Sequence, residues 1–226
     1  MQADTLPTSA GDLVIQPIHH ASLVLSHKGV TIYLDPVGGA KRYEGLPRPT
    51  LILLTHEHGD HFDLPTLNAL IGPATPIIGA KVAVDLLEGD LKNRATIIAQ
   101  GQTIQFEHIS IEAIPAHNLH PDRLKFHPKG VGNGYILTFA DQRVYVSGDT
   151  EDTPEMLGLK NIDIAFLPMD GHYTMTGPQA ASAAKAFKPK IVYPFHYGQG
   201  GQTEIFAREL EGSGIQINQR NWYEEV

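Results

Sequence analysis

The chain has 226 residues, 42% of them hydrophobic, with 17 Lys and Arg against 25 Asp and Glu, a formal net charge of −8 and no cysteine. That length and apolar content suffice for a single domain, residues 1–226, with a full core, while the acidic balance and the lack of a basic run argue against nucleic acid as the main partner. Disulfides and thiolate metal sites are excluded outright, and no apolar run approaches the ~18 to 20 residues of a membrane span, so a soluble protein with a small-molecule substrate and no membrane partner is expected.

Residues 1–11 (MQADTLPTSAG) are polar and expected to be flexible. They lack the basic start and apolar centre of a signal peptide, and suit a cytoplasmic chain and the trimmed start of an exported one equally well. Asp12 to Ile18, Ala21 to Leu25 and Val30 to Leu34 then read as β segments, with a turn at His27 to Gly29. His19 and His20 stand at a strand end, and Asp35 followed by Pro36 stops the third segment on a carboxylate. Gly38 to Pro49, rich in Gly, Pro and charge, is either a connector or a cover over a site.

Leu51 to Leu54 is an apolar run of strand length, and Pro65 to Ile71 has the look of a short helix. Between them, HEHGDH places three imidazoles and a carboxylate in six residues, with Gly59 permitting a sharp turn. Side chains two apart in an extended segment point the same way, so His56 and His58 can chelate one ion, while Asp60 and His61, past the turn, aim at a second point nearby. Nitrogen and carboxylate donors without sulfur suit zinc, and also manganese or iron.

Pro76 to Ile78 reads as a strand and Lys81 to Glu88 as one helix ended by Gly89. Arg94 to Ile98, Thr103 to Phe106 and Ile109 to Ala113 read as strands. A polar loop follows, holding His117, His120 and His127 before the chain re-enters a strand at Tyr135. Arg143 to Ser147 is a strand that ends on Gly148-Asp149-Thr150, where a short, stiff carboxylate can bridge two cations and reduce their repulsion. A helix with Pro154 in its first turn, a buried strand Ile162 to Pro168, a Thr176-capped helix through Phe187 and a strand Ile191 to Tyr193 come next. Pro194-Phe195-His196-Tyr197-Gly198 follows that last strand, and Glu204 to Leu210 and Ile215 to Ile217 read as a closing helix and strand.

HEHGDH, PAH at Pro115–His117, HPKG at His127, SGDT and YPFHYG together resemble the metallo-β-lactamase superfamily, and HPKG, GDTED and YPFHYG resemble its lactonase-like metal-dependent hydrolase branch. The resemblance runs from His20 to Tyr197 and implies an α+β fold, the αββα sandwich of two mixed β-sheets flanked by helices. It implies two divalent ions, zinc first and manganese or iron as alternatives. His56, His58, His117 and Asp149 are assigned to the first, and Asp60, His61, Asp149 and His196 to the second. His127 stays open as an alternative to His117, because HPKG resembles a ligand element as well. His20 and Asp35 match positions near the metals and are either supports for the ligands or caps for loop backbone groups. Gly171, Tyr173, Thr174 and Met175 resemble a pocket-lining element, which makes Asp170, His172 or Tyr173 candidate proton donors; Asp60 can orient the attacking water.

The implied activity is hydrolysis of a small ester, lactone or phosphoester by a hydroxide bridging the two ions. Two alternatives stand beside it: a redox site of the flavodiiron kind, which places Glu where His58 stands, and a metal-binding protein without turnover. The sequence leaves the oligomeric state open.

Overall fold

The computed structural model describes residues 2–224. They form two compact units: the first comprises residues up to Ala99 together with those from Asn221, and the second Gln100–Arg220. Each unit carries one seven-stranded sheet.

In the first unit the strands are β1 (Asp4–Thr8), β2 (Gly11–His19), β3 (Ser22–His27), β4 (Val30–Leu34), β5 (Leu51–Leu54), β6 (Ile77–Gly79) and β7 (Ala95–Ile97), side by side in chain order. The first three pairings are antiparallel and the last three parallel. The polar start, expected to be flexible, forms β1 instead, paired from Asp4 with Ile15 to Thr8 with Gly11; its backbone finds an edge to add to, which composition does not report. β4 and β5 are buried at every position, as parallel strands covered on both faces must be, and this is why VTIYL and LILL are unbroken apolar runs. Helix α1 (Leu64–Leu70) links β5 to β6 and places Leu67 and Leu70 in one cluster with Ile52 and Leu54. Fully burying each such side chain stabilises by about 1.5–3 kcal/mol.

The single helix expected over Lys81 to Glu88 is two short ones, α2 (Lys81–Asp85) and α3 (Gly89–Asn93). Glu88 is extended and Gly89 adopts φ +51°, so the chain turns there before a second helix begins. The Gly38–Pro49 segment behaves as a pinned connector. Its short 3₁₀ turn, Ala40–Tyr43, buries Tyr43, whose ring stacks on Tyr33 at 5.1 Å, and the Tyr33 hydroxyl donates to the Pro47 carbonyl at 2.8 Å. Burial pushes the Tyr33 phenol up to about 12.

The second unit repeats the pattern. Its strands β8 (Thr103–Phe106), β9 (Ile109–Ala116), β10 (Gly132–Phe139), β11 (Gln142–Val146), β12 (Ile164–Pro168), β13 (Ile191–Phe195) and β14 (Gln216–Ile217) again pair antiparallel three times and then parallel three times. Helices α4 (Pro154–Leu157), α5 (Gly177–Phe187) and α6 (Gln202–Glu209) accompany the parallel strands, and Ala180, Ala184 and Phe187 of α5 share a core with Tyr145 and Leu167. Thr176 caps α5, as the sequence leads one to expect, and the structure adds a capping box with Gln179.

β10 and β11 meet where the SGDT turn leaves the sheet. A Cβ on Gly134 would lie 2.5 Å from the Ser147 carbonyl oxygen, a backbone atom that cannot rotate away. Gly134→Ala is therefore expected to lower stability by about 1–3 kcal/mol through forced strand displacement; urea unfolding checks this, and an unchanged midpoint would refute the close approach.

Candidate metal centre

The register of each sheet decides which loops are neighbours. In the first unit Leu34 pairs with Leu53 across parallel β4 and β5, so Asp35 and Thr55 leave the sheet side by side. The Asp35 carboxylate accepts from the Thr55 N–H at 2.8 Å, from the Thr55 hydroxyl at 2.5 Å and from His61 Nδ1 at 2.8 Å. The carboxylate is buried, as is the His61 ring, so these partners replace its lost hydration. Asp35 thus both caps the Thr55 backbone N–H and holds His61 through Nδ1, which leaves Nε2 as the atom on offer. His56 is held the same way, Nδ1 lying 2.9 Å from the Thr55 hydroxyl.

Asp35, His56 and His61 offer ligand atoms within 4.8 Å of one another, as do His20, Asp60 and His61. The His58 ring stands 4.7 Å from that of His56. Asp60, about half exposed, accepts from His20 Nε2 at 3.0 Å, and His20 Nδ1 meets the Tyr223 hydroxyl at 2.9 Å. The backbone just past three separate strand ends, of β2, β4 and β13, is unusual: the non-glycine residues His20, Asp35 and His196 there adopt φ of 55°, 43° and 46°. Such left-handed conformations cost about 1–2 kcal/mol each and cluster where side chains are aimed for function.

In the second unit Val146, Phe166 and Tyr193 are in register across β11, β12 and β13, and the next loops carry Asp149, Asp170 and His196. His196 Nε2 lies 3.1 Å from Asp149 Oδ2 and its Nδ1 lies 3.1 Å from Asp170 Oδ2. His127 Nε2 lies 3.2 Å from the same Asp149 oxygen, while its Nδ1 meets Asn118 Oδ1 at 2.5 Å. His117 turns elsewhere: its Nδ1 lies 3.1 Å from the Asn118 carbonyl and its Nε2 is 4.0 Å from Glu155. Of the two histidines that compete in the sequence, His127 is the one drawn to Asp149.

Asp170 also accepts from the N–H groups of His172 at 2.6 Å and Tyr173 at 2.7 Å. Burial alone would raise its carboxyl, but the hydrogen bond and charge of His196 and those two N–H groups outweigh it and hold Asp170 below the usual carboxylate range. It is therefore an acceptor at neutral pH, with His196 Nδ1 among its partners. His172 and Tyr173 are exposed beside it. Asn118 escaped the sequence reading: nothing in its neighbours marks an amide that must span from His127 to the Tyr173 carbonyl, to which it donates at 2.7 Å.

The Nε2 atoms of His20 and His61 turn toward Asp60, and those of His127 and His196 toward Asp149, a donor set of nitrogen and oxygen atoms that fits divalent zinc, manganese or iron. Fold and donor set define the class: a metal-dependent hydrolase of the metallo-β-lactamase fold. The profile of the beta-lactamase superfamily domain matches residues 14–196, and the chain belongs to that superfamily. It is 31% identical over 195 residues to a UPF0173 protein of Pyrococcus abyssi, covering 85% of this chain and 88% of that one. A UPF0173 metal-dependent hydrolase of Deinococcus radiodurans is 28% identical over 227 residues, with 91% and 95% covered. Among solved structures, one from Parabacteroides distasonis, described as a candidate metal-dependent hydrolase, superposes with a TM-score of 0.90 at 41% identity over 99% of each chain. No helix among the described residues is long and apolar enough to cross a membrane.

Loops of the second unit are fastened by Glu151. Its carboxylate accepts from the N–H groups of Leu119 and His120 and from Arg123 Nη1 at 2.7 Å, and Arg123 also donates to the carbonyls of Thr174 and Gly171. Burial would raise the Glu151 carboxyl, yet the two N–H groups and the guanidinium prevail and hold it below the ordinary value. A lowered carboxyl contributes stability that is full above the unfolded glutamate value, about 4.3, and is lost as the pH falls through the folded one. Glu151→Gln is expected to cost about 1.5–3 kcal/mol at pH 7 and progressively less in acid; thermal unfolding of both proteins at pH 7 and pH 3 measures it, and a gap that stays constant with pH would refute the assignment.

Proposed function

We propose that the two groups of ligands hold a pair of divalent metal ions and that the protein hydrolyses a small ester, lactone or phosphoester. The motifs of the first unit assign His56 and His58 to one ion and Asp60 and His61 to the other; in the second unit His127 and His196 flank Asp149, the candidate bridge. His127 stands where the sequence offered both it and His117, because its Nε2 is 3.2 Å from Asp149 while that of His117 faces Glu155. The observation that carries the proposal is the convergence of His127 and His196 on one oxygen of Asp149, each ring backed at Nδ1 by Asn118 or Asp170. An acceptor shared by two buried imidazoles is the arrangement expected of a bridging carboxylate.

When bound, such ions polarise the scissile carbonyl or phosphoryl group and lower the pKa of water toward neutrality. The chain's own residues do the rest. Asp60, about half exposed and steadied by His20, is placed to orient water and to accept its proton. His172 and Tyr173, exposed beside Asp170, are the donors to the leaving group. The buried rings of His56, His61, His127 and His196 exclude solvent from the ligand atoms.

Elemental analysis of the purified or reconstituted protein is expected to find two metal ions per chain, and chelation to abolish hydrolysis of chromogenic esters or phosphodiesters until metal is restored. Asp149→Ala is expected to lose metal and to reduce kcat/KM by more than about 100-fold, beyond the 10–100-fold typical of a group that only supports a ligand. Two ions and normal rates in that variant refute the bridging role. Iron with oxygen consumption in place of hydrolysis indicates a redox protein, and bound metal without turnover on any substrate a non-catalytic one.

A further inference from the structure

The loops that carry His127 and Asp170 also carry side chains with no part in ligation. Phe126 and Tyr173 meet edge to face with ring centroids 4.8 Å apart, and His172 lies 4.5 Å from Tyr173. Leu119, Leu124 and Tyr173 are 43%, 47% and 47% exposed, and make up three of the five large hydrophobic side chains so exposed among the described residues. Scattered apolar residues on a surface need no explanation, but the rings of Phe126 and Tyr173 touch across two adjoining loops.

These loops are rigid. Arg123 joins them through the Gly171 and Thr174 carbonyls, and Asn118 joins them again through the Tyr173 carbonyl. The rings are therefore presented in place, and little side-chain or loop freedom remains to be lost on binding. The nearby cations are engaged as well: Arg123 pairs with Glu151, and Lys125 Nζ lies 5.0 Å from the centre of the Phe126 ring. An uncharged, apolar group suits such a surface better than a second anionic one.

We infer that the touching rings of Phe126 and Tyr173 form the specificity surface for the substrate's apolar acyl group, which narrows the substrate class to carboxylic esters or lactones with an aryl or alkyl substituent beside the scissile carbonyl. This rests on the hydrolase reading above. Phe126 directly precedes His127, and Tyr173 is tied through its N–H to Asp170, the partner of His196.

The test uses the metal-loaded protein with p-nitrophenyl acetate and p-nitrophenyl phenylacetate. The phenylacetyl ester is expected to show a kcat/KM about 10-fold or more above the acetyl ester, chiefly through KM, as one well-filled apolar pocket provides. Phe126→Ala is expected to bring that ratio near unity, chiefly by raising KM for the phenylacetyl ester. Calorimetric titration with phenylacetate and acetate reads the surface without turnover: tighter binding of phenylacetate that Phe126→Ala removes supports the inference. Equal affinity for the two acids, or a preference that survives in Phe126→Ala, overturns it. Failure to hydrolyse any ester despite bound metal overturns the hydrolase reading instead, while the titration still decides the surface.

Discussion

A carboxylate taken out of water must be given back its hydrogen bonds, and in the first unit that requirement falls on Asp35. Its oxygens accept from the Thr55 amide, the Thr55 hydroxyl and His61, and they find those donors only because β4 and β5 run parallel and end level. A slip of one residue in that register would present Leu54 instead of Thr55 and leave a charge buried without partners. The arrangement of HEHGDH thus depends on a strand pairing that contains none of its residues. Position of the imidazoles is inherited from the sheet, and their orientation from the groups behind them.

The same logic operates in the second unit with different members. Three parallel strands end in register, their loops carry Asp149, Asp170 and His196, and the rings of His127 and His196 are each backed by an acceptor. Both sheets pass from antiparallel to parallel pairing after the fourth strand, and in both the candidate ligands gather at the carboxyl ends of parallel strands, where side chains of successive loops point outward from one edge. Glu151 and Arg123 then fix the adjoining loops, an ion pair whose cost of desolvation is offset by four carbonyl and amide partners beyond the pair itself.

Much of this was legible in the residues. Unbroken apolar runs such as LILL and IAFLP announce buried strands, and the motifs that follow them, HEHGDH, GDT and FHYG, sit at strand ends as read. The metallo-β-lactamase fold follows from those motifs rather than from periodicity, which gives only a mixture of helix and strand. What escaped reading depended on partners far apart in sequence. The direction of His117 and His127 is decided by Asn118 and Glu155, and a histidine in a polar loop carries no mark of which way its ring will turn. The pairing of residues 4–8 with β2 was hidden because an edge strand with one exposed face needs little hydrophobicity. The break at Gly89 was hidden because a glycine that ends one helix and a glycine that begins another look alike.

Trp222 is fully buried, and its carbonyl accepts from the His20 N–H at 3.0 Å, so the last described stretch of chain belongs to the unit made by the first 99 residues. During synthesis that unit therefore cannot be finished when its own sheet has emerged. The slot for the indole, and the hydroxyl of Tyr223 that meets His20, stay unfilled until the ribosome has delivered the whole of residues 100–220, a continuous segment free to fold in the meantime. Vectorial translation thus reverses the apparent order, and the part begun first is the part closed last.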